Sequence, residues 1–253
     1  MKIGILETGK VNPALVPDHG EYVPMFRDFL HLADTSVEVE GWDVIDAGRI
    51  PASPHDADGW IVTGSAHGVY DGLPWMEPLK AFLRETYAAK VPIVGVCFGH
   101  QILAEAMGGK VVKSDRGWGA GVHSYRLEDG APEWMAGGRG TVNLHAMHQD
   151  QVVEKPEGAR VIASSEFCDY AGLAYGDADG DRAMSIQPHP EFDASYEAGI
   201  IHLRRGGSGI PDDVADRALG TLEGGVDNAL FAGWVVSFFR QALARRGAER
   251  ESA

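Results

Sequence analysis

Apolar and polar positions divide the chain into two unlike stretches. Lys2 to Leu6, Val37 to Val44, Gly59 to Val62 and Val91 to Val96 read as strands. The last places Val91, Ile93, Val94 and Val96 together without polar alternation, the pattern of a parallel strand buried on both faces. Helical spacing separates them. One helix spans Tyr22 to Leu32, with Pro24 in the first turn, where a missing N–H is harmless. Another spans Glu77 to Ala89 and aligns Leu79, Phe82, Leu83 and Tyr87 on one face. Glu7 to Glu21 carries Pro13, Pro17 and Gly20 and reads as a long loop. A helix bearing Ile102, Leu103, Ala106 and Met107 follows the fourth strand and stops at Gly108-Gly109. Strand alternating with helix predicts an α/β fold with a mostly parallel sheet.

After Gly109 the period shortens. Val111 to Lys113, Gly121 to Leu127, Val142 to His145, Arg160 to Ala163, Gly172 to Tyr175 and Ala183 to Gln187 read as short strands, with a polar link from Gln149 to Gly158. Hairpins and a small antiparallel sheet fit this better than further crossovers. Ala194 to Arg205 reads as a helix, Gly206 to Gly209 as a flexible break, and Asp212 to Leu219 as a short helix or turn. A last helix begins at Asp227 as N-cap and runs to Arg246, presenting Leu230, Phe231, Trp234, Val235, Phe238 and Leu243. Its Trp234 and Phe238 stripe suits a homodimer contact as well as a core. The expected organisation is one domain over residues 1–246, with 193–246 a helical extension and 247–253 a frayed tail.

Composition narrows the partners. The chain has 22 Lys plus Arg against 37 Asp plus Glu, a net charge of −15, which argues against nucleic acid or an anionic membrane surface. Its 2 cysteines, Cys97 and Cys168, give no disulfide framework and fit a reducing compartment. The first strand begins at Lys2, without the apolar stretch of a signal peptide, and Ala229 to Phe239 is too short to span a bilayer. The expectation is a cytoplasmic protein.

Chemistry concentrates at two places. Gly95-Val96-Cys97-Phe98-Gly99 puts a cysteine at a sharp strand-to-helix corner, an elbow that exposes the nucleophile beside unpaired N–H groups. Those groups and the helix dipole favour a thiolate. Gln187-Pro188-His189-Pro190-Glu191-Phe192 ends another strand with a histidine held between prolines and a carboxylate two residues on. Such a histidine can act as general base toward a thiol, and Glu191 can fix its tautomer. Cys168 lacks an elbow and reads as structural. His148 and Asp150 are ligand types, but no third or fourth ligand follows at a recognisable spacing, so neither metal nor cofactor is expected. The early Thr8-Gly9-Lys10 matches no phosphate-binding glycine loop.

With Thr63-Gly64-Ser65 after its strand, these segments resemble the class I glutamine amidotransferase family, above all stand-alone proteins similar to the amidotransferase domain of GMP synthase. The likeness covers residues 1–192, with His189 standing 92 positions after Cys97. It implies a flavodoxin-like fold and a Cys97, His189, Glu191 triad acting on a γ-glutamyl amide. It implies an oxyanion hole of the Gly64 and Phe98 N–H groups, each such donor contributing about 3 kcal/mol to the transition state. It places Gln101, Trp118, Gly119 and His148 around the substrate. A peptidase or deglycase of the wider superfamily would keep the elbow without needing Gln101 or the Gln-Pro-His-Pro-Glu segment. A catalytically silent scaffold would have no need for a strained cysteine corner and a proline-flanked histidine together. Two activities fit the family: hydrolysis of a small γ-glutamyl amine or peptide by this chain alone, or ammonia delivery to a separate synthetase partner. What residues 8–20 and 193–225 place over Cys97 decides between them.

Overall fold

The computed structural model describes residues 1–138 and 140–251. Its elements in chain order are β1 (Lys2–Glu7), α1 (Val16–His19), α2 (Tyr22–His31), β2 (Glu38–Asp43), β3 (Gly59–Val62), α3 (Met76–Ala88), β4 (Ile93–Val96) and α4 (Phe98–Ala106). There follow β5 (Lys110–Lys113), β6 (Gly119–Leu127), β7 (Thr141–His148), β8 (Asp150–Glu154), β9 (Arg160–Ser164), β10 (Gly172–Asp177) and β11 (Gly180–Ile186). The chain closes with α5 (Ala194–Arg204), α6 (Asp212–Thr221) and α7 (Asn228–Glu251).

Among the described residues, nine strands form one sheet in the order β2-β1-β3-β4-β11-β10-β9-β6-β7. From β2 to β11 the neighbours run parallel, and from β11 to β7 they run antiparallel. The inner parallel strands β1, β3 and β4 are buried on both faces, as their apolar runs predict, whereas the edge strand β2 is not. Ile3, Ile5, Ile61, Val94 and Val96 pack on one face with α2 and α7, while Trp60, Val62 and Ile93 pack on the other with α3 and α4. This is the expected flavodoxin-like architecture, with a mixed sheet, a small antiparallel pair and C-terminal helices.

The structure corrects several readings. The link expected from Gln149 to Gly158 contains β8, which pairs antiparallel with β5 through Val111 and Val152. Its apolar content is just Val152 and Val153, too little to signal a strand without the partner. The loop after β1 contains the single turn α1, with Pro17 in its first positions. Asp227 does accept the first helical N–H, from Phe231, through its carbonyl, but its carboxylate takes the Asn143 N–H at 2.7 Å and so ties α7 to β7. α7 continues past Arg246 to Glu251, so the segment expected to fray is helical that far; residues 252–253 lie outside the described residues. Trp234 and Phe238 are 2% and 0% exposed, which makes the stripe core and removes it as a dimer surface. Burial of each such side chain stabilises the fold by roughly 2–3 kcal/mol.

The corner between β4 and α4 is set by close backbone approach. A Cβ on Gly95 would lie 2.5 Å from the Gly99 carbonyl oxygen, and one on Gly99 would lie 2.2 Å from the Val62 carbonyl oxygen. Both glycines are therefore needed for packing. Gly99→Ala is expected to cost about 1–3 kcal/mol in urea unfolding, the range of an overpacked core; a midpoint equal to that of the unaltered chain would show that the corner has room.

Candidate active site

β4 lies between β3 and β11, and all three run the same way, so their C-terminal ends share one edge of the sheet. Ligands in open α/β sheets bind at this edge. The β4 end presents Cys97, the β3 end Gly64, and the β11 end His189. Register fixes their level: Ile186 pairs with Val96, and the Cys97 N–H donates to the Ile186 carbonyl at 2.9 Å.

Cys97 sits at φ 53° and ψ −105°, a left-handed conformation for a residue with a side chain. Such a backbone costs of order 1–3 kcal/mol and persists only where its surroundings impose it. Here the Gln101 N–H closes the first helical turn on the Cys97 carbonyl at 3.1 Å, and the Gly99 N–H donates to the Thr63 carbonyl at 3.1 Å. Thr63 is itself latched to β1, since Thr8 donates its backbone N–H to Thr63 Oγ1 at 3.0 Å and its hydroxyl to the Thr63 carbonyl at 2.8 Å. The Phe98 N–H stands at the start of α4, where helical N–H groups have no partner in their own helix.

His189 is clamped from several sides. Its N–H donates to the His145 carbonyl at 2.8 Å, and its ring stacks on Phe192 with centroids 3.9 Å apart and planes 8° from parallel. Nδ1 pairs with Glu191 Oε1 at 2.7 Å, both side chains being buried. A methyl built on Gly64 would meet His189 Cε1 at 2.8 Å, with His189 Nε2 and Cys97 Cβ each 3.7 Å away, so imidazole and cysteine converge on that glycine. Burial pulls the pKa of His189 down, but the Glu191 carboxylate and then the charge and hydrogen bonding of Cys97 outweigh it and raise it to about 10. The proton is stabilised on the ring that faces the cysteine. His145 is pushed down to about 4 by burial and by His189, so it stays neutral beside that ring.

Cys97, Gln101, Trp118 and His148 line an open cleft of about 340 Å³, joined by Ser65, Tyr70, Lys113, Asp150 and Arg204. Gln101 donates from Nε2 to the Asp150 carbonyl at 3.0 Å and to Gln187 Oε1 at 3.1 Å, so it braces the cleft as well as lining it. His148 interacts through Nδ1 with the Asp150 carbonyl at 3.1 Å, while its buried Nε2 has no hydrogen-bond partner among the described residues. Burial lowers its pKa to about 3, leaving a neutral ring with an acceptor at Nε2. The Asp150 carboxylate accepts the Tyr70 hydroxyl at 2.8 Å. Gly119 stands one step back, paired with His148 and covered by the Phe167 ring. Cys168 is buried in the core, and burial raises its thiol to about 12.

Two residues escaped sequence reasoning. Arg204 reaches the cleft from the last turn of α5. Glu197, on the same helix, is buried and accepts the Gly121 N–H at 2.9 Å; burial raises its carboxyl to about 8. A signal for Glu197 existed: it shares an apolar stripe with Ile200 and Ile201, an unusual place for a carboxylate. Among the described residues no group of three or more His, Cys, Asp or Glu could hold a metal, and no helix is long and apolar enough to cross a membrane.

A corner cysteine and a carboxylate-held imidazole thus share one edge of a mixed sheet. The chain belongs to the class-I glutamine amidotransferase family, whose model matches residues 15–202. It is similar to gamma-glutamyl peptidase 3 of Arabidopsis thaliana, 31% identical over 74% of this chain and 77% of that one. It is also similar to one component of the glutamine-hydrolysing GMP synthase of Halobacterium salinarum, 30% identical over 74% of this chain and 92% of that one. The fold matches that of a glutamine amidotransferase from Thermotoga maritima, with a TM-score of 0.72, 16% identity, and coverage of 95% of this chain and 97% of the other.

Glu197 gives a pH test of the site. Its folded pKa of about 8 lies above the ordinary carboxyl value of 4.5, so the stability linked to its proton is whole below 4.5 and lost as pH rises through 8. Glu197→Gln keeps an oxygen for the Gly121 N–H but cannot ionise. Between pH 6 and pH 9, roughly spanning that folded value, urea midpoints of the unaltered chain should fall further than those of the variant; parallel curves would mean that the carboxyl does not titrate there.

Proposed function

We propose that this chain hydrolyses a γ-glutamyl amide through a thioester on Cys97. The observation that carries this reading is the convergence of Cys97 and the His189–Glu191 pair on Gly64, at the wall of an open cleft. The thiolate sulfur attacks the amide carbonyl carbon, and the oxygen that becomes negative is held by the Gly64 and Phe98 N–H groups. As the carbon–nitrogen bond breaks, His189 gives its proton to the leaving nitrogen. Water then yields a proton to His189 and attacks the thioester; the carbon–sulfur bond breaks, releasing glutamate and restoring the thiolate. Glu191 keeps the ring oriented and balances its charge throughout.

One flank of the cleft suits the γ-glutamyl head group, which carries an ammonium and a carboxylate. Lys113 and Asp150 are register partners on β5 and β8, and the His148 Nε2 acceptor lies beside them. An ammonium can donate to that nitrogen and face Asp150, and Lys113 offers the carboxylate a counter-charge. The other direction is open. Segment 193–225 contributes Arg204 at the rim and leaves a groove, which favours a substituted amine over ammonia as leaving group. The likeness to a gamma-glutamyl peptidase supports the same reading. The likeness to a GMP synthase component supports a second one, in which a synthetase partner covers this opening and receives ammonia.

Steady-state rates with glutamine and a panel of γ-glutamyl amines, using the purified chain alone, separate the two. Preference for a substituted amine is expected, and Cys97→Ala should lower turnover by about a thousandfold or more. Full turnover by that variant would end the thioester proposal, and activity confined to glutamine would favour ammonia delivery.

A further inference from the structure

The mechanism leaves one cation of the cleft unused. Arg204 ends α5, and its guanidinium carbon lies 5.7 Å from the centre of the Trp118 ring, both residues lining the cleft that holds Cys97. Among the described residues no carboxylate forms an ion pair with it, whereas the adjacent Arg205 takes both Asp212 and Asp216. The acids around the cleft are otherwise engaged. Asp71 accepts the Gly68 N–H at 3.0 Å and faces His67 at 3.6 Å, and Asp150 accepts the Tyr70 hydroxyl. Glu197 is near enough to act on Arg204 electrostatically, yet burial keeps its carboxyl protonated at neutral pH. An uncompensated guanidinium inside a cleft is notable in a chain of net charge −15.

The charge balance of the cleft picks out one half of the substrate. Arg204 acts electrostatically on Tyr22 and Tyr196, and both of these also feel Glu191. Tyr196 in turn packs edge-on against Phe192, the ring beneath His189. Arg204 therefore reaches the cleft from α5, the helix that also supports the imidazole, and stands there as a second cation besides Lys113. The γ-glutamyl head group has one carboxylate, which the reading above gives to Lys113, so Arg204 is left for an anion beyond the scissile bond.

We propose that Arg204, steadied by Trp118, binds a carboxylate on the leaving amine, so that the preferred substrates are γ-glutamyl amino acids or γ-glutamyl peptides. Stacking on an indole holds the guanidinium plane while leaving its N–H edges free for a paired contact with a carboxylate. Neutral and cationic γ-glutamyl amines lack that contact. The assignment rests on the γ-glutamyl hydrolysis proposed above and adds the chemical class of the leaving group.

The test compares γ-glutamylalanine with γ-glutamylalanine amide, which differ in the carboxylate alone. In the unaltered chain kcat/KM should favour the acid by about tenfold or more, chiefly through KM, and added salt should shrink the difference. Arg204→Gln should lower the acid-to-amide ratio by about tenfold, and Arg204→Lys should fall between, keeping the charge without the planar fork. A ratio near one in the unaltered chain overturns the assignment. So does a ratio unchanged in Arg204→Gln while both rates fall, which would place the guanidinium on the γ-glutamyl half. Should Arg204→Gln not fold, the ratio in the unaltered chain and its salt dependence decide. Turnover of neither compound by the unaltered chain would remove the hydrolysis reading itself, whereas turnover without preference removes only the role of Arg204.

Discussion

Parallel pairing of β4 with β11 is the contact on which the rest of the site depends. Cys97 and His189 are 92 positions apart in the chain, and nothing local brings them together. Closing so long a loop is entropically costly, and the sheet offsets that cost through the ladder from Ala183–Ile93 to Ile186–Val96 and the apolar side chains packed on both of its faces. One step beyond the ladder both strands must leave the sheet. β4 leaves through the strained corner at Cys97, and β11 leaves through Pro188 and Pro190. A slip of this pairing by one residue would turn the inward-facing side chains of β11 to the opposite face. The register that buries Met184 and Ile186 is thus the register that puts His189 at the level of Cys97.

Burial then acts on the site in two senses. It penalises the charged form of every ionisable group there, and which groups remain charged depends on their partners. His189 has Glu191 on Nδ1 and Cys97 on its other side, and these outweigh the desolvation of its charged ring. His148 has just a carbonyl and His145 no hydrogen-bond partner for its ring among the described residues, so both stay neutral. Three histidines within one small region therefore differ in charge for a reason visible in their hydrogen bonds. Because the neighbours are neutral, the proton that the proposed reaction moves has one favoured resting place.

Much of this was legible in the sequence, and the limits follow from physical range. Strands β1, β3 and β4 are buried on both faces, so their apolar runs could be read without tertiary context. The Gly95 and Gly99 positions announced a corner because close backbone approach excludes a Cβ at either one. β8 was missed because its pattern makes sense only opposite β5. Asp227 stands at the N-cap position of α7, but its carboxylate serves β7, a choice made by a strand 84 positions away. Trp234 and Phe238 showed an apolar stripe, but no pattern in one helix says whether the sheet or a second copy covers it. The roles given to Cys97, His189 and Glu191 came from resemblance joined to the elbow argument, while Glu197 and Arg204 lie beyond those motifs.

Those two residues make α5 more than an appended helix. It leaves directly from the turn that carries His189 and Glu191, with Asp193 capping it through the Tyr196 N–H at 2.7 Å. Its first turns support the imidazole from behind, through Tyr196 against Phe192, and place Glu197 on the Gly121 N–H beneath the cleft wall. Its last turn carries Arg204 to the rim, where the helix dipole also favours a cation. One helix thus carries both Tyr196, which packs on the ring beneath the imidazole, and Arg204, and helical rise fixes the spacing between these two. In the proposed reaction, then, the helix that supports the proton donor also carries the residue that reads the leaving group.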